Sequence, residues 1–205
     1  PDLFTPMRDA ASRKVRADYQ DVWTDLYSAH FFQPQTEWCE RNGLDYIVHI
    51  CGEEDLATLI GLNGDYFKVN RTVQTPGVDA IWRQIWPGVV ADYPKLASSS
   101  AHLRGCPRAF TESYAVYGTG TSLEQAKWVM DQQFVRGINH FQAMEFLSSA
   151  SEFRPYFHPP DWHSSPLWPY FGELARYANR LSYVLSVGRP AARIAVYYPT
   201  TSGWL

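Results

Sequence analysis

Short apolar runs recur along the chain at intervals of roughly thirty residues, the length of one strand–helix unit. Each run is rich in β-branched or aromatic residues and follows a turn, which is the pattern of a buried strand. The predicted strands are Asp45–Ile50, Pro76–Ile81, Pro107–Ser113 and Gly137–Met144. A further strand is predicted to begin within residues 191–205, after the last helix.

Helical periodicity fills most of the intervals between these strands. The predicted helices cover residues 19–43, 92–105, 121–137 and 167–190. The second ends on Gly105, which suits a helix C-terminus, and the third opens with a capping box formed by Ser122 and Gln125. The first has apolar residues at Val22, Leu26, Tyr27 and, beyond Pro34, Trp38.

Alternating strands and helices predict an α/β fold with a parallel sheet, either doubly wound or a (β/α)8 TIM-type barrel. Four units fill half of a barrel, since a whole barrel needs about 250 residues. Because a new strand follows the last helix, the chain is expected to hold the second half of a barrel. Residues 1–190 are that half, and residues 191–205 begin a following domain.

The 205-residue chain has a net charge of −3 and scattered Lys and Arg residues, so nothing in it indicates a nucleic-acid surface. Its longest apolar stretches are shorter than a membrane span, and the first residues do not form a signal peptide. Aromatic residues make up 16%. Such an excess is typical of carbohydrate-active proteins, whose rings stack on sugars, but a large aromatic core has the same composition.

Active sites of parallel α/β folds gather at the carboxyl ends of strands. The polar residues predicted there are His49, Glu53, Glu54, Asp55, Asp79, Glu112, Asn139, His140 and Gln142. Several also have a structural explanation. Glu53, Glu54 and Asp55 come just before a helix, where the helix dipole stabilises negative charge. Asp79 is suited to capping a turn, and a histidine inside an apolar strand, such as His49, is commonly a hydrogen-bonded core residue.

Glu112 is the strongest catalytic candidate. It follows Ala109 and Phe110 at a strand end, within the stretch RAFTESYAVYGTG, so it is expected at the rim and partly desolvated. An unpaired carboxylate there would raise its pKa or cost several kcal/mol, and proteins retain such groups mainly where they act as acids, bases or nucleophiles. The alternative is a buried structural glutamate bonded to an arginine or a helix.

No metal site is predicted from residue spacing. The three cysteines Cys39, Cys51 and Cys106 form no CxxC pair and are expected to be small core residues. His158 and His163 lie in the proline-rich stretch HPPDWHSSP without a spaced acidic partner.

Several motifs together resemble the catalytic barrel of glycoside hydrolases related to the family 106 α-L-rhamnosidases. They are PRAFTESYAVYG, SLEQAKWVMDQQFVRGINHFQAM, HPP and the segment 167–204, and the resemblance runs from about Tyr19 to Leu205. It implies that the four strands are barrel strands five to eight, and that the first half of the barrel precedes Pro1. The strand-five motif VHICGEEDL departs from the simpler family pattern, which leaves the sugar open.

The resemblance also implies a chemistry. Glu112 corresponds to the general base that activates water in an inverting reaction, and the general acid lies on an earlier strand upstream of Pro1. The resemblance implies calcium near the sugar, with Glu53 or Glu54 helping to bind it and the other ligands unassigned, and it favours a secreted or periplasmic location. The barrel is also similar to family 42 β-galactosidases, in which the reaction retains configuration and Glu112 would be the nucleophile. A carbohydrate-binding barrel without turnover is the remaining alternative.

In a glycoside hydrolase, aromatic rings would stack on the sugar, and its hydroxyl groups would be bonded by the residues expected to line the pocket: His49, Glu53, Glu54, Asp79, His140 and Gln142. The candidate stacking rings are Tyr114, Trp82, Trp86 and Trp162.

Overall fold

The computed structural model describes residues 3, 6, 9–146 and 161–205. All four strands of the predicted units are present there, each shorter than the sequence pattern or shifted by a residue. They are Ile47–Val48 (β1), Thr75–Ala80 (β2), Phe110–Ser113 (β3) and His140–Ala143 (β4). The α-helices are Ala10–Tyr27 (α1), Gln33–Arg41 (α2), Leu56–Asn63 (α3), Tyr66–Val69 (α4), Pro94–Arg104 (α5), Leu123–Phe134 (α6), Trp168–Ser186 (α7) and Thr200–Gly203 (α8).

The strands form one parallel sheet in the order β1-β2-β3-β4. Connections between parallel strands are almost always right-handed, so a sheet whose strand order never reverses carries its connecting helices on one face. The contacts agree. From α6, the Gln133 side chain donates to Ser113 Oγ at 3.0 Å, and the Phe134 ring lies 4.7 Å from that of Phe141. The mixed α/β class with a parallel sheet is therefore confirmed.

Helix ends follow the predicted signals. At the start of α6, the Ser122 Oγ accepts from the backbone N–H of Gln125 at 3.1 Å, and the Gln125 side chain accepts from the N–H of Ser122 at 2.9 Å. At the end of α5, Gly105 adopts the left-handed conformation with φ 71°. Both predictions are confirmed, because each depends on local backbone groups that need a partner at a helix terminus.

The first helical region is longer than predicted and contains a π-helical turn, Ser28–Phe32, between α1 and α2. The N–H of Gln33 donates to the carbonyl of Ser28, five residues earlier. Pro34 follows immediately, and a proline within an α-helix loses one hydrogen bond and clashes with the carbonyl four residues before it. The wider turn lets the chain pass through Pro34 without ending the helix.

The apolar residues predicted for this region are buried only in part: Tyr27 packs against the core. Val22, Leu26 and Trp38 are each more than half exposed. Cys51 is also exposed, so its assignment to the core is wrong, whereas Cys39 and Cys106 are partly buried.

The strand predicted within residues 191–205 is absent. Residues 191–199 have no regular structure, Ile194 and Val196 are exposed, and α8 follows. An apolar alternation becomes a strand only when a neighbouring strand pairs with it, and none of the described strands does so here. Instead, α8 packs on α3, where Gly203 approaches Ile60 so closely that a Cβ would lie 2.2 Å from its Cδ1.

Among the residues described, no helix combines the length and apolar character required to cross a bilayer.

Candidate functional site

Two rows of side chains cross the sheet on the face opposite α6. The first row, in register, is Gly77–Phe110–His140, and the second is Asp79–Glu112–Gln142. Neighbouring parallel strands lie about 4.8 Å apart, so members of a row are adjacent. Continuing the β1 register by two residues places His49 beside Gly77. Backbone alternation therefore brings five of the predicted polar residues to one surface.

His49 is the centre of this surface. Its Nε2 lies 3.2 Å from Glu112 Oε2, while its Nδ1 lies 3.6 Å from Glu53 Oε1 and 3.9 Å from Asp79 Oδ2. Only the first distance is short enough for a hydrogen bond. The imidazole thus bridges Glu112, whose side chain is 24% exposed, and two carboxylates that lie deeper.

A tight turn carries Glu53 back beneath His49. Gly52 has a φ of 87°, a conformation that glycine adopts without strain. The turn directs the Glu53 side chain inward, where it is fully buried and its Oε1 accepts from the N–H of Ile50 at 2.8 Å. Asp55 instead caps α3 through Thr58, and Glu54 is exposed. The structural explanation for acids before a helix therefore holds for Asp55 and fails for Glu53.

The electrostatics of the cluster are unbalanced. Burial lowers the pKa of His49, but the carboxylates of Glu112, Glu53 and Asp79 outweigh it and raise that pKa to about 10. Burial, followed by the charge of Glu53, raises the pKa of Asp79 to about 7, and burial raises the pKa of Glu53. Three carboxyl groups thus face one imidazole, which is too little positive charge to compensate all of them.

Three buried polar atoms in the cluster have no hydrogen-bond partner within the described residues: His49 Nδ1, Glu53 Oε2 and Asp79 Oδ1. Buried polar atoms of native proteins are nearly always paired with protein or water. The same three side chains each bring one donor atom into a group whose atoms lie within 4.8 Å of one another, so the cluster is able to receive a ligand or an ion.

Phe110 forms the floor of the site. Its ring centroid lies 6.3 Å from that of His49 and 5.8 Å from that of His140. The ring lies over Gly77, where an added Cβ would be 2.3 Å from Phe110 Cδ1. Sequence reasoning did not place Phe110 or Gly77 in the site. The available signal was a glycine within a strand, which commonly marks a close approach.

The loops that follow β2 and β3 border the site and are strained. Non-glycine residues with positive φ are uncommon, and they cluster at functional positions, each at a cost of about 1–3 kcal/mol. The two loops hold four of them: Trp82, Arg83, Tyr114 and Val116. Hydrogen bonds join the loops, with the N–H of Trp82 donating to Ala115 O at 3.0 Å and that of Tyr114 to Ala80 O at 3.1 Å.

Two of the predicted stacking rings belong to the core. Tyr114 is 0% exposed and donates its hydroxyl to Ala126 O at 3.0 Å, and Trp162 is 1% exposed and donates to Met144 O at 3.1 Å. The two rings pack edge to face at 5.6 Å. Neither offers a face to a sugar. Trp82, by contrast, is 55% exposed, and Trp86 is partly buried beneath the guanidinium of Arg83.

Other candidates also lie away from the cluster. Asn139 is buried, its Oδ1 accepting from Ala109 N and its Nδ2 donating to Pro107 O, both at 2.9 Å, so it joins the two strands. Gln142 is exposed, and His140 is half-buried, with burial lowering its pKa. His163 packs edge-on against Trp168 at 5.3 Å, and His158 lies outside the described residues.

The cluster is a poor fit for calcium. Calcium takes six to eight oxygen ligands, from carboxylates, carbonyls and water. The converging set here is His49, Glu53 and Asp79, in which one of three donors is an imidazole nitrogen. The sequence analysis did not predict this set, although a histidine and a glutamate four residues apart were a readable signal for two of its members.

Comparison with protein-family models, curated proteins and solved structures found no match.

Proposed function

We propose that the protein is a glycoside hydrolase that removes a terminal sugar, an α-L-rhamnoside first among the candidates, with Glu112 as general base. The observation that carries the proposal is the position of Glu112. It lies at the carboxyl end of β3, at the rim of a polar surface, with one oxygen held by His49 at 3.2 Å.

The hydrogen bond from His49 would orient the base. With Oε2 held, the other carboxylate oxygen has no hydrogen-bond partner among the described residues and could accept a proton from a water molecule. A general base has to lie within hydrogen-bond reach of that water, which favours a fixed carboxylate that is still partly exposed. Glu112 meets both conditions.

The surrounding residues suit a sugar. His140 and Gln142 follow along β4 on the same face and are able to bond hydroxyl groups. Trp82, more than half exposed in the neighbouring loop, is the stacking ring that remains. The sequential strand order and the polar face opposite the helices support the second half of a (β/α)8 barrel as the scaffold. On this proposal the general acid comes from the first half.

The test is hydrolysis of a panel of aryl glycosides by the intact protein: α-L-rhamnoside, β-galactoside, β-glucuronide and α-L-arabinoside. Glu112→Gln is isosteric and should lower kcat for the cleaved substrate by at least ~100-fold, as expected for loss of an acid/base group. Glu124→Gln is the matched control, because Glu124 is exposed in the first turn of α6 and should leave kcat unchanged.

The configuration of the product separates the two mechanisms. Proton NMR of the first-formed sugar should show inversion if Glu112 activates water, whereas retention would make it the nucleophile. Sugar binding that weakens in Glu112→Gln, without turnover by the wild-type protein, would identify a binding protein and refute the hydrolase.

A further inference from the structure

The strongest unexplained feature of the molecule is the cluster of His49, Glu53 and Asp79 beside Glu112. His49 follows β1, Glu53 lies in the next turn and Asp79 is near the end of β2, yet donor atoms of all three lie within 4.8 Å of one another. Each of the three side chains also has a buried atom without a partner. Glu53 is 2% exposed and Asp79 is 7% exposed, so solvent does not readily satisfy these atoms.

A bound cation would compensate the negative charge of this cluster. Glu53, Asp79 and Glu112 all have His49 as their ion-pair partner, and no Lys or Arg pairs with them in the described part of the chain. With all three carboxyl groups ionised, even a protonated imidazole leaves two negative charges uncompensated. Buried charges in proteins are paired or coordinate metals, and a divalent ion supplies the missing charge.

The distances fit a small cation. A tetrahedral site with bonds of about 2.0–2.2 Å has donors roughly 3.4 Å apart. Nδ1 of His49 lies 3.6 Å from Glu53 Oε1 and 3.9 Å from Asp79 Oδ2. Both distances are too long for direct hydrogen bonds and only a few tenths of an ångström longer than a tetrahedral site requires.

The orientation of His49 fits as well. Its Nε2 faces Glu112 Oε2 at 3.2 Å, which leaves Nδ1 directed at the other two carboxylates. Histidines that bind metals usually donate their second ring N–H to a carboxylate, which fixes the tautomer and ring orientation. Glu112 occupies that position. Its carboxylate would support the imidazole of His49, and the imidazole and the two further carboxylates would bind the metal.

We propose that His49, Glu53 and Asp79 bind a divalent first-row transition metal, with an open coordination position toward the substrate side. One imidazole with two carboxylates suits zinc, manganese or iron(II) better than calcium or magnesium. Zinc binds more tightly than manganese to most sites of this kind. The site does not depend on hydrolase activity, and binding is measured without a substrate.

The experiment is titration of the intact, chelator-treated protein with ZnCl2, MnCl2 and CaCl2 by calorimetry. One zinc per chain is expected, bound more tightly than manganese, with calcium weakest. Glu53→Gln and Asp79→Asn should each weaken zinc binding by more than the 10–100-fold typical of losing a supporting residue. Glu54→Gln is the matched control, since Glu54 is the exposed neighbour of Glu53 and should bind zinc like the wild type.

X-ray absorption on the zinc-loaded wild type is the second measurement, and it does not depend on the variants folding. It should show nitrogen and oxygen ligands at about 2.0–2.1 Å, including one imidazole. Zinc binding that is equally tight in Asp79→Asn, or no zinc binding by the wild-type protein, would overturn the proposal and leave an imidazolium–carboxylate cluster. Glu112→Gln should retain zinc with about tenfold weaker affinity, so loss of hydrolysis and loss of metal are distinguishable.

Discussion

Replacing Gly77 with alanine tests whether the floor of the site is fixed as the structure shows. Gly77 lies within β2 and its φ is outside the left-handed region, so alanine fits the backbone and the effect is steric. The added Cβ would lie 2.3 Å from Phe110 Cδ1 and 2.9 Å from the carbonyl oxygen of Val48. Carbon atoms in optimal contact are about 3.5–4.0 Å apart, so the Phe110 ring has to move by more than an ångström.

That movement has a calculable cost. Overpacking a filled core by one methyl group typically costs about 1–3 kcal/mol of folding free energy. The upper half of that range, about 2–3 kcal/mol, applies here, because the backbone of β1 lies on the other side of the added methyl group and prevents it from moving away from the ring. The Phe110 ring also lies next to the rings of His49 and His140, whose centroids are 6.3 Å and 5.8 Å from its own, so its displacement should shift both. We therefore expect a lower free energy of unfolding together with weaker binding at the site.

Urea denaturation followed by tryptophan fluorescence measures the change, with the m-value checked for constancy. Gly61→Ala is the control. Gly61 lies in α3 with nothing within 4 Å of an added Cβ, and alanine should stabilise that helix by about 0.5–1 kcal/mol. Phe110→Leu combined with Gly77→Ala should recover part of the loss, because the smaller side chain vacates the contact. Equal stability of Gly77→Ala and the wild type, within about 0.5 kcal/mol, would refute the tight ring-over-glycine arrangement.

Three further substitutions separate structural from functional residues. Asn139→Ala removes hydrogen bonds that join the segments before β3 and β4 and leaves buried backbone groups unpaired, so the free energy of unfolding should fall by about 2–4 kcal/mol in urea denaturation. Tyr114→Phe loses one buried hydrogen bond and should cost about 1 kcal/mol in thermal unfolding, with KM for the aryl glycoside unchanged. Trp82→Ala should raise KM several-fold, because the ring is 55% exposed in a loop that borders the site. An increase in KM for Tyr114→Phe without one for Trp82→Ala would reverse these two assignments.

Part of the candidate site could be predicted from the sequence, and part could not. His49, Asp79 and Glu112 each follow or end an apolar run, and parallel strands bring their carboxyl ends to one edge, so their meeting could be expected. The inward direction of Glu53 could not, because it depends on the left-handed turn at Gly52. Tyr114 and Trp162 were misplaced for a related reason, since nothing in their local sequence says whether a ring faces solvent or packs against another ring.

The sequence by itself determined the four strands, the helical regions before β1 and β3 and after β3 and β4, the caps of α5 and α6, and the strand-end position of Glu112, but not α3, α4 or α8. Those features depend on periodicity and on backbone groups within a few residues of one another. Only the tertiary structure decided that the donor atoms of His49, Glu53 and Asp79 meet in one cluster and that Phe110 lies beneath the site. It also decided that the apolar residues after residue 190 form no strand. Each of these depends on partners distant in the chain, whose approach is set by strand register and packing rather than by local pattern.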